Sequence, residues 1–345
     1  MKQIQGLTNV RLRELLGKMR CVKAVLIGDM CIDIYWVGDM TKSQLSRETP
    51  HYPLPIVDER MSAGAGGNAA VNMATLCPEA VTIGVIGNDW RGVCLKNVLS
   101  DKGMNTDGIV IADARITNAY CKPMRKGYLG IEVEDPRLDF ESHEPISAEL
   151  EDKIIANLDK YAKNADVICV SDQFDNGCIT ERVRERINHY ANCGKLVVVD
   201  SRSRIGMYQH CILKPNEIEC ARAISSEPLD SSATEQDIEL AAKALRAKTG
   251  SDVCLTLGSR GCTVCREDGY TRIEAIRLDP PFDTVGAGDC FLPAFALALA
   301  SGATDREAGV IGSMASAICV KKLNTTGSAS AEELIALFEK HGEEI

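Results

Sequence analysis

The residues best suited to chemistry lie in one run near the carboxyl end, Asp283-Thr-Val-Gly286-Ala287-Gly288-Asp289, followed by an apolar stretch through Ala300. Three small residues let the backbone come close to a ligand. At a helix start their N–H groups present unpaired donors, and the positive end of the dipole, to an anion. Asp289 falls in the first turn of that helix. A phosphate cradled by amides with a carboxylate beside it has the parts of phosphoryl transfer: the amides stabilise charge on the moving group, and Asp289 takes the proton of the accepting hydroxyl. On this segment alone a plainer alternative stays open, a flexible turn with an acidic residue at the helix start. Pro293 is expected near the first turn, where its missing N–H costs little.

Five further places carry polar residues at element ends. Ala63-Gly64-Ala-Gly-Gly67-Asn68 is rich in glycine and ends on a side chain with both a donor and an acceptor. No apolar strand precedes Ser62-Ala63 as a dinucleotide-binding loop requires, so that reading is set aside. In Lys214-Pro-Asn216-Glu-Ile-Glu219, Asn216 and Glu219 share one face of a helix start, as ligands or as a capping pair. Thr256-Leu-Gly258-Ser-Arg-Gly261 reads as a loop after a strand. Asp29 and Asp33 flank the end of the first strand, and Asp172 follows the strand at 167–170, where α/β sheets place their ligands.

The elements that must position these residues alternate. Leu7, Val10, Leu15 and Met19 suggest an amphipathic N-terminal helix. Strand and helix patterns then succeed one another, with strands at 22–27, 81–86, 167–170, 196–199, 211–213 and 253–256 and final helices at 287–300 and 306–321. Such alternation implies a mostly parallel sheet with helices on both faces. Two regions break the pattern. Residues 32–37 with 52–57, and 108–141, read as short strands without helices and are expected to form a small lid sheet. The expected architecture is α/β: one domain over residues 1–345, with a three-layer α/β/α core and lid segments at about 32–60 and 108–141.

Composition bounds the partners. With 39 basic and 49 acidic residues the net charge is −10, which argues against nucleic acid or an anionic membrane and requires any phosphate site to concentrate its cations locally. Fifteen cysteines, an odd number set mostly in apolar runs, suit a reducing cytoplasm better than a disulfide framework. The pair Cys262 and Cys265 lies in a strand pattern, so its sulfurs should point to opposite faces. No apolar run approaches the ~20 residues of a bilayer span, and no secretory signal opens the chain.

Taken together, these segments resemble the ribokinase/PfkB carbohydrate kinases. Asp283 to Asp289 is similar to that family's C-terminal signature, 63–72 to its sugar-binding segment, 214–219 to its Asn-x-x-Glu motif and 256–261 to its nucleotide loop, all in family order. The resemblance implies a ribokinase-like fold and ATP and Mg2+ as cosubstrate and cofactor. It assigns catalysis to Asp289 with Gly286, Ala287 and Gly288. Sugar binding falls to Asp33, Gly64, Gly67, Asn68 and Asp172, and nucleotide binding to Asn216, Glu219, Thr256, Gly258 and Gly261. Glu219 would serve magnesium, and Asp283 with the Val285 carbonyl would serve potassium.

Within that family, 27–38, Ser46-Arg47-Glu-Thr-Pro-His51-Tyr-Pro-Leu-Pro55, Arg137-Leu-Asp-Phe-Glu141 and the turn from Lys322 to Gly327 resemble the bacterial kinases of D-glycero-D-manno-heptose 7-phosphate. The implied acceptor is the anomeric hydroxyl of a sugar phosphate, gripped by Arg47, Lys122, Arg137 and Arg202. His51 replaces a Glu of that pattern, and Asn118 a Lys. The fused nucleotidyltransferase domain of some of these kinases is not expected here. A homodimer through the lid is expected, because a small sheet exposes edges one subunit cannot cover. A kinase for another sugar or a nucleoside, and a non-catalytic sensor of the same fold, are the alternatives.

Overall fold

The computed structural model describes residues 3–323 and 327–341. In chain order its strands and helices are β1 (Gln3–Ile4), β2 (Leu7–Thr8), α1 (Asn9–Met19), β3 (Ala24–Gly28), β4 (Met30–Asp39), β5 (Ile56–Ala65), α2 (Gly66–Leu76), β6 (Val81–Gly87) and α3 (Trp90–Asp101). There follow β7 (Asn105–Ala112), β8 (Asn118–Lys126), β9 (Glu132–Glu134), β10 (Leu138–Phe140), α4 (Ala148–Ala162), β11 (Val167–Asp172), α5 (Glu181–Asn192), β12 (Leu196–Ser201) and β13 (Ile212–Leu213). The chain continues through α6 (Glu217–Ile224), α7 (Glu235–Thr249), β14 (Asp252–Thr256), β15 (Cys262–Cys265), β16 (Tyr270–Ile273), α8 (Ala287–Ala300), α9 (Asp305–Val320) and α10 (Ala331–His341).

Nine strands form the main sheet, in the order β16-β15-β14-β13-β12-β11-β3-β6-β7. The strands from β14 to β7 run parallel, and β15 and β16 add an antiparallel hairpin at one edge. Central strands such as Val167-Ile-Cys-Val-Ser-Asp172 are buried throughout, as a sheet covered on both faces requires. Alternate side chains enter different cores. Leu26, Cys169 and Val198 pack with α1, α2, α8 and α9, whereas Val25, Ile168 and Val199 pack with α4, α5 and α7. Cys262 and Cys265 divide in the same way, one to each core, and all fifteen cysteines are free thiols. The alternation legible in the sequence is thus the three-layer α/β/α core.

A second sheet, β10-β8-β4-β5 with β9 paired to β8, stands apart from the first. The chain enters it from β3 through a single residue, Asp29, and leaves it directly into α2. Two expectations about this region need correction. Residues 108–111 belong to β7, the edge strand of the main sheet, where β7 lies parallel to β6. A short β-branched strand carries no signal that tells one sheet from the other. Residues 52–55 are not a strand, because Pro53 and Pro55 offer no N–H, and β5 begins only at Ile56. Two smaller corrections concern helices. Val10 is exposed on α1, whose buried stripe is Leu12, Leu15, Leu16 and Met19. Pro293 is interior to α8, beyond its first turn, and has no N–H to return to the Asp289 carbonyl four residues back. The resemblance noted over Lys322–Gly327 falls largely on residues 324–326, outside the described residues. Among the described residues no helix is long and apolar enough to cross a membrane.

Candidate active site

The carboxyl ends of β3, β11, β12 and β13 face the start of α8. Gly286 caps that helix with φ +80°, a conformation that favours glycine, and Asp289 stands in the first turn. The Ala287 N–H turns back to the Thr284 carbonyl at 3.3 Å, so the anion-binding donors are fewer than the three expected. The N–H groups of Gly288 and Asp289 carry no hydrogen bond among the described residues. A Cβ on Gly288 would lie 3.6 Å from Lys214 Nζ, which places that ammonium beside the helix start. Lys214 is buried and paired with the buried Asp200 at 3.1 Å.

The Asp289 carboxyl is pushed up to about 7. Desolvation is the main cause; Asp200 and Asp33 add to it, while the Asn68 hydrogen bond and Lys214 oppose it. Asn68, 2% exposed on the first turn of α2, donates from Nδ2 to Asp289 Oδ2 at 2.8 Å. The Asn72 amide in turn donates to the Asn68 carbonyl at 3.0 Å and locks it from behind. Asn68 is therefore aimed at the carboxylate rather than left open as a general donor and acceptor.

Asp33 lies on β4, 4% exposed, with Oδ2 3.0 Å from Lys122 Nζ and Oδ1 buried without a hydrogen-bond partner. Gly64 makes room for it, since a Cβ there would meet Asp33 Oδ1 at 2.5 Å. Gly67 has a different reason: its missing Cβ would press on Ala63 and the Cys31 carbonyl, so it serves the packing of α2 on β4 and β5. Asp172 also departs from expectation. It is 1% exposed and saturated by Arg204, by Ser201 Oγ at 2.7 Å and by Tyr208 OH at 2.9 Å, so it is a structural knot without a free acceptor. Asp29 similarly takes the N–H groups of Gln173, Phe174 and Cys178 and orders the loop after β11.

On the other side of Lys214, Asn216 caps α6 and closes a reciprocal capping box with Glu219, whose Oε2 accepts the Asn216 N–H at 2.9 Å. Desolvation, and after it Asp200, pushes the Glu219 carboxyl up to about 7, against the pull of Lys214. Thr256 bridges to Asn216 and donates its hydroxyl to the Pro215 carbonyl at 3.0 Å. Gly258 and Gly261 hold positive φ around a tight turn, and a Cβ on Gly261 would strike the Ile273 carbonyl at 2.2 Å, so that glycine answers to β16. Asp283 Oδ1 accepts the Val285 N–H at 3.0 Å.

The expected cationic grip on a sugar phosphate is only partly assembled. Arg47 is exposed in the loop after β4, and Lys122 is committed to Asp33 and Tyr35. Arg137 is paired with Asp139 and lies 4.2 Å over the Tyr120 ring. Arg137 and the exposed Arg202 both exert their charge on Tyr120, and Arg202 also reaches Glu219. The residues overlooked in the sequence are Lys214, Asp200 and Ser62. A lysine at the end of an apolar strand, quoted only as part of a motif, was the available signal for the first.

The sequence profile described as pfkB family carbohydrate kinase matches residues 23–332. The Bifunctional protein HldE of Gluconacetobacter diazotrophicus is 30% identical over 323 residues, which cover 92% of this chain and 64% of that protein. Its namesake from Hyphomonas neptunium is 30% identical over 341 residues, 96% of this chain and 66% of the other. The chain thus spans slightly under two thirds of the length of these curated relatives. Among solved structures, Arabidopsis thaliana ribokinase complexed with ribose and ATP superposes with a TM-score of 0.69 at 20% identity, covering 92% of this chain and 99% of that one. Phosphofructokinase-2 from Escherichia coli in complex with potassium gives 0.70 at 16% identity, with the same coverage. These likenesses establish the ribokinase-like fold.

Proposed function

The chain belongs to the pfkB family of carbohydrate kinases, and from that premise we propose that it transfers the terminal phosphoryl group of ATP to a sugar hydroxyl, with Asp289 as the base. The observation that carries this reading is the alignment of Asn68, Asp289 and the free Gly288 and Asp289 amides at one helix start. The acceptor oxygen forms its bond to phosphorus, the bond between that phosphorus and ADP breaks, and the acceptor's proton passes to Asp289. Charge on the moving group meets the helix-start amides and the buried Lys214 ammonium, both fixed before reaction.

The buried Asp200 and the half-buried Glu219 repel one another beside a single ammonium, a donor set that fits a hard divalent cation arriving with the nucleotide. Magnesium held there would neutralise the nucleotide's phosphates. Asp283, with one oxygen free of hydrogen bonds among the described residues, and the Val285 carbonyl would hold a potassium ion. Among the described residues no three metal-ligating side chains converge, consistent with ions bound largely through water and substrate. Asn216, Thr256 and the Gly258–Gly261 turn form the nucleotide side.

For the acceptor we infer a sugar phosphate, with the anomeric hydroxyl of a heptose 7-phosphate as the specific reading. Its support is the resemblance in the lid segments, together with Arg137 and Arg202 flanking Tyr120. ATP consumption measured against free sugars, sugar phosphates and nucleosides tests both levels. Turnover of nucleosides alone would favour the rival kinase, and ATP hydrolysis without any acceptor would favour a sensor.

A further inference from the structure

The lid strands set four polar side chains on one face. β4 and β5 pair Asp33 with Ser62, and β4 and β8 pair Asp33 with Tyr120 and Tyr35 with Lys122. Cross-strand neighbours and residues two apart share a face, so Asp33, Ser62, Tyr35 and Lys122 form a cluster. Two of its atoms are buried without a hydrogen-bond partner among the described residues: Asp33 Oδ1, an acceptor, and Ser62 Oγ, a donor and acceptor. One orphan polar atom costs stability, and two side by side on the same face call for a bound partner. That partner must offer hydrogens to Asp33, which excludes a phosphate or carboxylate oxygen and selects hydroxyl groups.

The fourth residue explains how Asp33 remains an acceptor. Lys122 is 8% exposed, its Nζ 3.0 Å from Asp33 Oδ2 and 3.0 Å from Tyr35 OH, and it lies 4.6 Å from the Tyr35 ring centre. Carboxylate, phenol and ring face together fix the ammonium in its charged form. Burial alone would drive Asp33 towards the neutral acid. Lys122 opposes this most strongly, Arg137 opposes it from a distance while paired to Asp139, Glu134 reinforces it, and Asp289 faces Asp33 across the cleft. Burial pushes the Cys31 and Cys121 thiols and the Tyr120 phenol on β4 and β8 up, towards their neutral forms, and Arg60 of β5 lies over the Tyr35 ring.

We propose that Ser62 and Asp33 together recognise adjacent hydroxyl groups of the acceptor sugar, and that Lys122 is the positioning residue that keeps Asp33 ionised for this task. The proposal rests on the sugar-kinase reading, in which Asp33 already meets the sugar, and adds to it Ser62 as the second contact and Lys122 as a residue that acts through another.

The test measures equilibrium binding of the accepted sugar across pH 5 to 9 by calorimetry, together with the Asp33 titration by NMR on 13C-labelled aspartate, assigned with Asp33→Asn. Ser62→Ala should weaken sugar binding about tenfold and leave ATP binding unchanged. Lys122→Met should move the Asp33 titration, and the acid limb of sugar binding with it, upward by about one pH unit or more, and Lys122→Arg should restore both. At high pH, where Asp33 is ionised in every variant, Lys122→Met should return towards the wild-type KM, whereas Ser62→Ala should keep a raised KM with kcat little changed. Should Lys122→Met fail to fold, the double variant Lys122→Met/Asp33→Asn removes the unpaired charge and should recover the fold, whereas a double variant as unfolded as the single would count against the pairing. An unchanged Asp33 titration in Lys122→Met, or full sugar affinity in Ser62→Ala, overturns the proposal. Wild-type protein that consumes ATP with no sugar on the panel overturns the kinase reading instead, and the NMR titration separates the two failures.

Discussion

The Asn68 amide and the Asp289 carboxylate meet at 2.8 Å, although 221 positions separate them in the chain. One stands in the first turn of α2, where the lid rejoins the core, and the other in the first turn of α8. Their contact ties the sugar side of the cleft to the base. It also sets the charge of that base, because a hydrogen bond to the ionised form favours ionisation.

Replacing the base gives the first prediction. Asp289→Asn keeps the shape and removes the basicity, so kcat should fall by ~10²–10⁴-fold while nucleotide affinity is retained. Steady-state rates with equilibrium ATP binding on the same preparation check it. More than about a tenth of wild-type kcat would remove Asp289 from this role.

The second prediction concerns pH. The base works only when ionised, and its carboxyl is pushed up to about 7, so kcat/KM should rise with pH through that value and level off above it. Asn68→Ala removes a bond to the charged form and should carry the limb upward by about one pH unit. A profile that stays where it was would show that Asn68 does not tune the base.

The third is a stability effect apart from catalysis. Arg204→Ala would leave Asp172, buried under Ser201 and Tyr208, without its cation. Loss of one partner from such a pair costs about 3–5 kcal/mol. Chemical denaturation should register this loss, and an unshifted midpoint would contradict the account of Asp172 as a structural knot.

The fourth addresses assembly. β5 is an edge strand of the lid, with Ile56 and Val57 each 47% exposed, and it is the surface we propose a second copy covers. Sedimentation should find a dimer at micromolar concentration, and Val57→Asp should shift it towards monomer. A wild-type monomer throughout that range would reject the assembly.

The fifth separates substrates. If Arg137 and Arg202 hold a phosphorylated end against Tyr120, Arg202→Ala should lower kcat/KM for a sugar phosphate about tenfold or more and spare the matching free sugar. Arg47→Ala, in an exposed loop, should change either by less than about threefold. A uniform loss on both substrates would point to a nucleotide-side role for Arg202, which also faces Glu219.

How much of this was legible in the sequence depended on the range of the interaction. Apolar alternation announced the core strands and helices, and small residues ahead of Asp289 announced its helix, because these are local patterns. β7 could not be assigned to a sheet, since its partner is chosen by the crossover and not by its own residues. Asp172 looked like a ligand until Arg204 came round from the next strand to saturate it. Lys122 looked like one cation among several until β8 laid it beside β4, against a carboxylate 89 positions away. Pairings of this kind exist only after the sheet has formed.

The first passage between the two sheets anchors one side of the cleft to the other. The chain crosses outward at Asp29 and back at Ala65 and Gly66, and these crossings are stitched together: Met30 pairs with Ala65, and the Gly66 N–H bonds the Asp29 carbonyl at 2.9 Å. A Cβ on Gly66 would meet that carbonyl at 2.8 Å, and Ala65 sits at φ +48°. These two crossings thus lie side by side, with Asn68 about half a helical turn beyond Gly66. The strands that carry Asp33 and Ser62 and the helix that presents Asn68 to Asp289 are therefore joined by one short stitched crossing, so the sugar side of the cleft and the base share a common anchor.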